Sequence, residues 1–165
     1  MPFASEVLHR HGINFEIQNI IGIPGEGLEE ALETLEFNIR CRPAWTQASL
    51  LFPYPSTEIY ETAREMGLLA SETPVDSPTF YESSPLKIPR KKEMQNLQKL
   101  FSITVEFPFL FRYIRFLIRL PLSWLYNFIR QMHKGWCVKF RLLYYRTGAL
   151  ESLKLAYRYL KGKAS

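Results

Sequence analysis

Residues 14–26 read NFEIQNIIGIPGE, an apolar run that ends in a Gly-Ile-Pro-Gly-Glu turn, and a second apolar run ends in Phe52-Pro53-Tyr54-Pro55-Ser56-Thr57. The spacing predicts a strand, a glycine turn, an amphipathic helix and a second strand, making one right-handed βαβ unit. In α/β proteins ligands bind at the carboxy ends of such strands. Gly-x-Pro-Gly-Glu alone is most often a strand-to-helix turn, and it gains weight as a ligand site at Gly22 or Gly25 because the second motif follows at crossover distance. Glu26 reads as a helix-start charge rather than a catalyst.

Other residues with ligating or nucleophilic chemistry are scattered. His9 and His11 flank Arg10 at a helix end and point to different faces, so they read as surface residues and not as a metal pair. Cys41 and Cys137 are far apart with no ligand-type neighbour; each reads as a small buried side chain in a reducing compartment.

The elements that would position the turn are legible. Ser5 to Arg10 predicts the end of a helix stopped by Gly12. Phe15, Ile17, Ile20, Ile21 and Ile23 predict a strand whose later residues are buried on both faces. Leu28, Ala31, Leu32, Leu35 and Ile39 fall at helical spacing, with Glu29, Glu30, Glu33 and Glu36 on the other side. Arg42-Pro43 closes that helix, a second strand runs through about Phe52, and Ser56 or Thr57 caps a further helix. That helix carries Ile59, Tyr60, Ala63 and Met66 and ends at Gly67.

Charge divides the chain. Residues 1–89 hold five Lys/Arg against thirteen Asp/Glu, net −8; residues 90–165 hold sixteen against three, net +13. The expected organisation is an α/β piece over 1–70, an irregular Pro/Ser-rich connector over 71–92, and a basic, aromatic, all-helical extension over 93–165. Leu100 to Tyr126 is dense in aromatics, Arg112, Arg115 and Arg119 recur at helical spacing as one cationic face, and Pro108 and Pro121 divide the segment into short helices. A second basic stretch runs from Lys134 to Lys163. Lodging in an anionic leaflet and packing against other parts of one enzyme both suit this segment; nucleic acid suits it less, because no reader motif accompanies the charge. With 47% hydrophobic residues a core is expected, and neither a signal-peptide core nor an apolar run of spanning length is present. A cytoplasmic chain follows as the expectation, with peripheral attachment at the inner face of the membrane as its variant.

The order of helix, Gly, strand, Gly-Ile-Pro-Gly-Glu, acidic helix, Pro, strand, Pro-Tyr-Pro-x-Thr-Glu-x-Tyr, helix and Glu-x-Gly-Leu-Leu resembles the late part of the barrel in radical S-adenosylmethionine enzymes. It is most similar to the branch with a cobalamin-binding domain, and the likeness covers residues 5–69. The resemblance implies a partial (β/α) barrel of about two parallel strands followed by the basic helical tail. It implies that Ile21, Gly22, Ile23 and Gly25 approach the adenosyl group of S-adenosylmethionine, with Glu26 at the strand end; glycine admits close backbone approach and an aliphatic side chain packs on adenine. Ser56 stands where the family usually has glycine.

Such enzymes hold a 4Fe-4S cluster through a Cys-x-x-x-Cys-x-x-Cys loop, which this sequence lacks. The resemblance therefore implies a carboxy-terminal fragment or subunit that contributes part of the S-adenosylmethionine pocket and is inactive alone. The cluster and cobalamin would belong to the complete enzyme, and the partner would be the amino-terminal part of the barrel, from the same gene product or a separate subunit. The competing readings are a non-catalytic membrane-surface or scaffold protein, and a small domain that uses the glycine turn for a nucleotide.

Overall fold

The computed structural model describes residues 2–69 and 84–142. Most of the expected connector, and the part of the second basic stretch beyond residue 142, lie outside the described residues. The described chain is mixed α/β, mostly helical, with two parallel strands: α1 (Pro2–Arg10), β1 (Glu16–Ile21), α2 (Leu28–Cys41), β2 (Trp45–Leu50), α3 (Glu58–Glu65), α4 (Lys91–Glu106), a 3-10 helix (Pro108–Tyr113), α5 (Ile114–Leu117), α6 (Ser123–Cys137) and a π-helical turn (Val138–Leu142).

β1 and β2 pair in parallel from Glu16 opposite Trp45 to Ile21 opposite Leu50, with α2 as the connection. Glycines end the helices as expected: Gly12 and Gly67 both adopt φ of +66°, the left-handed geometry that stops α1 and α3. Thr57 caps α3, its Oγ1 accepting from the Tyr60 N–H at 3.3 Å. Ser56 adopts φ of +69°, a conformation that favours glycine.

One face of the sheet is covered. Ile21, Ala48 and Leu50 join Leu28, Ala31, Leu32 and Leu35 of α2 and Met94, Leu97, Leu100 and Phe101 of α4 in a single apolar core. Within it Asn38, buried on α2, donates to Asn19 Oδ1 at 2.9 Å, and the Thr46 hydroxyl donates to Asn38 Oδ1 at 2.9 Å. Asn19 donates in turn to the Gln47 carbonyl at 3.1 Å. The three side chains tie α2 to both strands, which satisfies polar groups that would be costly to bury unpaired.

The other face is open. Glu16, Gln18 and Ile20 are exposed and Trp45, Gln47 and Ser49 half-buried, with Ile20 at 57%. This corrects the expectation that the late part of β1 is buried on both faces. Of the two isoleucines there, Ile21 turns inward with Asn19, and Ile20 meets solvent.

The charge boundary is not a structural boundary. α4, which begins at Lys91, packs across β2 and α2, and Met94, Leu97 and Phe101 are fully buried at helical spacing. Pro108 and Pro121 do break the chain after α4 and before α6. The segment 84–90 also belongs to the packed body: Leu86 and Ile88 are buried, Leu86 pairs with Leu69 in an isolated antiparallel bridge, and the Ser84 hydroxyl donates to the Leu51 carbonyl at 2.5 Å.

Candidate functional site

The chain leaves β1 through Gly22, whose φ of +76° turns the backbone out of the strand. Ile23 to Glu26 then form a tight turn, closed by the Glu26 N–H donating to the Ile23 carbonyl at 2.8 Å. Pro24 in the second position and Gly25 at φ of +89° in the third match the residue demands of a type II turn. The Glu26 carboxylate folds back and accepts from the Ile23 N–H at 2.9 Å. Glu30 accepts from the Gly27 N–H at 2.9 Å, which secures the start of α2. Both acids therefore serve local geometry.

Above this turn lies a cleft of about 230 Å³. Gly22 to Gly27 form one wall, and Met66, Leu68 and Leu86 to Pro89 form the other. The second wall is held by the Lys87 N–H, which donates to the Leu68 carbonyl at 2.8 Å. Ile88 reaches across to Gly22: a Cβ at residue 22 would lie 2.8 Å from the Ile88 δ-methyl. The lining is apolar apart from Glu26, Lys87 and exposed backbone, so the cleft is suited to binding an apolar or flat group rather than to proton transfer.

Of the five residues expected to face a ligand, Gly22, Ile23, Gly25 and Glu26 line the cleft and Ile21 does not. Ile21 is 0% exposed and belongs to the core, because the strand alternation turns it toward α2. The Pro-Tyr-Pro motif also lies off the cleft; it builds the turn before α3, with the Thr57 hydroxyl donating to the Tyr54 carbonyl at 2.6 Å. In the sequence Met66 reads as one side of the helix that ends at Gly67 and Leu68 as part of the Glu-x-Gly-Leu-Leu motif, and nothing there assigns either of them, or the Leu86–Pro89 wall, to a cleft. The wall's signal is the Leu86-x-Ile88 alternation between Pro85 and Pro89, too short to show a period.

Arg112, Arg115 and Arg119 do not act as one free cationic face. The Arg115 guanidinium donates to Glu29 of α2 at 2.6 Å and holds that carboxyl below its usual range. Arg119 lies 3.8 Å from Glu93, which also accepts from Arg90 at 2.9 Å. Arg112 is exposed.

A second gathering of titratable groups sits where α4 meets α6. Arg141 donates to both oxygens of Glu106 at 2.7 Å, His133 Nε2 lies 3.8 Å from Glu106, and Cys137 Sγ lies 3.5 Å from the same nitrogen. The Ser102 hydroxyl is within hydrogen-bond distance, 3.1 Å, of His133 Nδ1. Burial pushes the Cys137 thiol up and the His133 imidazole down, so the thiol stays protonated and the ring neutral. A protonated, fully buried thiol is a poor nucleophile. The cluster ties α6 to α4.

Cys41 is buried at the end of α2, its carbonyl oxygen 3.0 Å from His9 Nε2, and His11 Nδ1 is 3.2 Å from the Val7 carbonyl. Among the described residues no three His, Cys, Asp or Glu side chains converge on a point that could hold a metal ion. Compared with protein-family models, with curated proteins and with solved structures, the chain matches none.

Proposed function

We propose that this chain forms one wall of an S-adenosylmethionine pocket in a radical S-adenosylmethionine enzyme, and that residues outside this chain complete the pocket. The observation that carries the reading is the apolar cleft at the carboxy end of β1, lined by Gly22, Ile23, Gly25 and Glu26. Parallel strands bind ligands at that end. The cleft, at about 230 Å³, falls below the roughly 300–1,000 Å³ of complete small-molecule pockets, so it holds part of a ligand.

The sheet supports the same reading. Parallel sheets are normally covered on both faces, and here Gln18, Ile20, Gln47 and Ser49 leave one face open. A second part of a barrel would cover it.

The role of this chain is binding. Gly25 admits the ligand close to backbone, Gly22 admits the Ile88 methyl that joins the two walls, Ile23 packs on the adenine face, and Pro24 with the Glu26 carboxylate keeps the turn rigid. Cluster ligation and cobalamin binding would fall to the residues that complete the enzyme, since the sequence carries no Cys-x-x-x-Cys-x-x-Cys loop.

Equilibrium dialysis of S-adenosylmethionine against the chain and its Ile23→Asp variant tests this reading. Ile23 is exposed, so the variant retains the fold. Weak binding that falls about fivefold or more in the variant is expected, since a charge replaces the apolar packing surface. Equal binding by both chains counts against the proposal.

A further inference from the structure

We propose that the outward face of α6 is a docking surface for an anionic lipid bilayer. Trp124, Phe128, Met132 and Trp136 recur every fourth residue along α6 and are 45–73% exposed, forming one apolar stripe. The rotation of the helix is fixed from its other side: Tyr126 and Cys137 are buried, and the Tyr126 hydroxyl donates to the Leu117 carbonyl at 2.8 Å. The stripe therefore cannot turn inward. Single exposed apolar residues are ordinary on a protein surface, but four in register with a tryptophan at each end are not.

Charge identifies the occupant. Between Glu106 and Glu151 the sequence has no acidic residue and eight Lys/Arg. Gln131 and Lys134 flank the stripe, both exposed, and Lys139 with exposed Phe140 follow it. An apolar protein partner would not require a stretch of 44 residues to be free of acids; phosphate headgroups would reward it. Tryptophan at both ends suits the headgroup level of a bilayer. At 15 residues α6 is about 22 Å long and would lie along the interface, and no helix among the described residues is long and apolar enough to cross.

A second exposed row, Phe109, Arg112, Tyr113 and Phe116, has the same aromatic and cationic make-up. Arg115 and Arg119, held by Glu29 and Glu93, take no part.

Flotation of the full chain with phosphatidylserine–phosphatidylcholine vesicles, and with phosphatidylcholine alone, tests it. Binding to the anionic vesicles is expected, at least about tenfold weaker on neutral ones. Phe128→Ser with Met132→Ser should lower anionic binding at least about tenfold, because two side chains leave the acyl boundary. Gln131→Glu should weaken it without touching the stripe, and the circular dichroism and melting of all variants should match the parent. Absence of flotation, equal flotation on both vesicles, or equal flotation of parent and Phe128→Ser/Met132→Ser overturns the proposal. So does a dimer that this double variant dissolves while lipid binding is absent, which would assign the stripe to a second copy of the chain.

Discussion

The δ-methyl of Ile88 occupies the space into which a side chain at Gly22 would project, 2.8 Å from the Cβ position that the glycine lacks. Residue 22 also holds φ of +76°, so two separate constraints demand glycine there. The contact joins the walls of the cleft: Gly22 ends β1, and Ile88 comes from the segment that the bridge between Leu69 and Leu86 pins to the body.

Replacing Gly22 by alanine is therefore expected to cost about 2–3 kcal/mol, combining left-handed strain with overpacking. Ile88→Val removes the clashing methyl. Made alone it should cost about 1 kcal/mol, and in the Gly22→Ala background it should recover part of the loss. Urea unfolding of the four chains measures the coupling; purely additive costs would show that the two residues do not share the space.

Ser56 offers the opposite case. It holds φ of +69° in the turn before α3, a conformation that favours glycine. Ser56→Gly should raise stability by about 0.5–1 kcal/mol, since relief of the left-handed strain outweighs the added freedom of the unfolded chain. An unchanged or lower urea midpoint would mean that the turn relaxes around serine at no cost.

The βαβ unit was legible because its signals are local. Leu28, Ala31, Leu32 and Leu35 repeat at the helical period, Gly12 and Gly67 sit one step past helix ends, and Pro108 and Pro121 cannot continue a helix. The place of α4 was not legible. Its charges report the solvent face, and they outvoted Met94, Leu97 and Phe101, which point into the shared core. The pairing of Arg115 with Glu29 spans 86 positions, and no local pattern encodes it. The second wall of the cleft escaped for a different reason: Leu86 and Ile88 are the two apolar members of a three-residue segment between prolines, too short to show a period.

The cluster at α4 and α6 gives stability a pH dependence. Burial beside Arg141 depresses the His133 pKa below 6.5, against the partial pull of Glu106. The unfolded chain then binds a proton that the folded chain resists, so folding is fully supported above about pH 6.5 and weakens as pH falls from there through the folded pKa. His133→Gln should flatten this slope while leaving the acid unfolding of the carboxylates in place. Chemical denaturation of both chains between about pH 5 and 8 measures it, and identical slopes would contradict the assignment.

The contact proposed between the glycine turn and the adenosyl part of S-adenosylmethionine can be read residue by residue. Its most direct test is the amide nuclear magnetic resonance spectrum of the full chain, titrated with S-adenosylmethionine and, in parallel, with methionine. Shifts with the first ligand are expected at Gly22, Ile23, Gly25 and Glu26 and at Lys87 and Ile88 across the cleft, and none there with methionine. Shifts confined to other residues, or the same shifts with methionine, would contradict it.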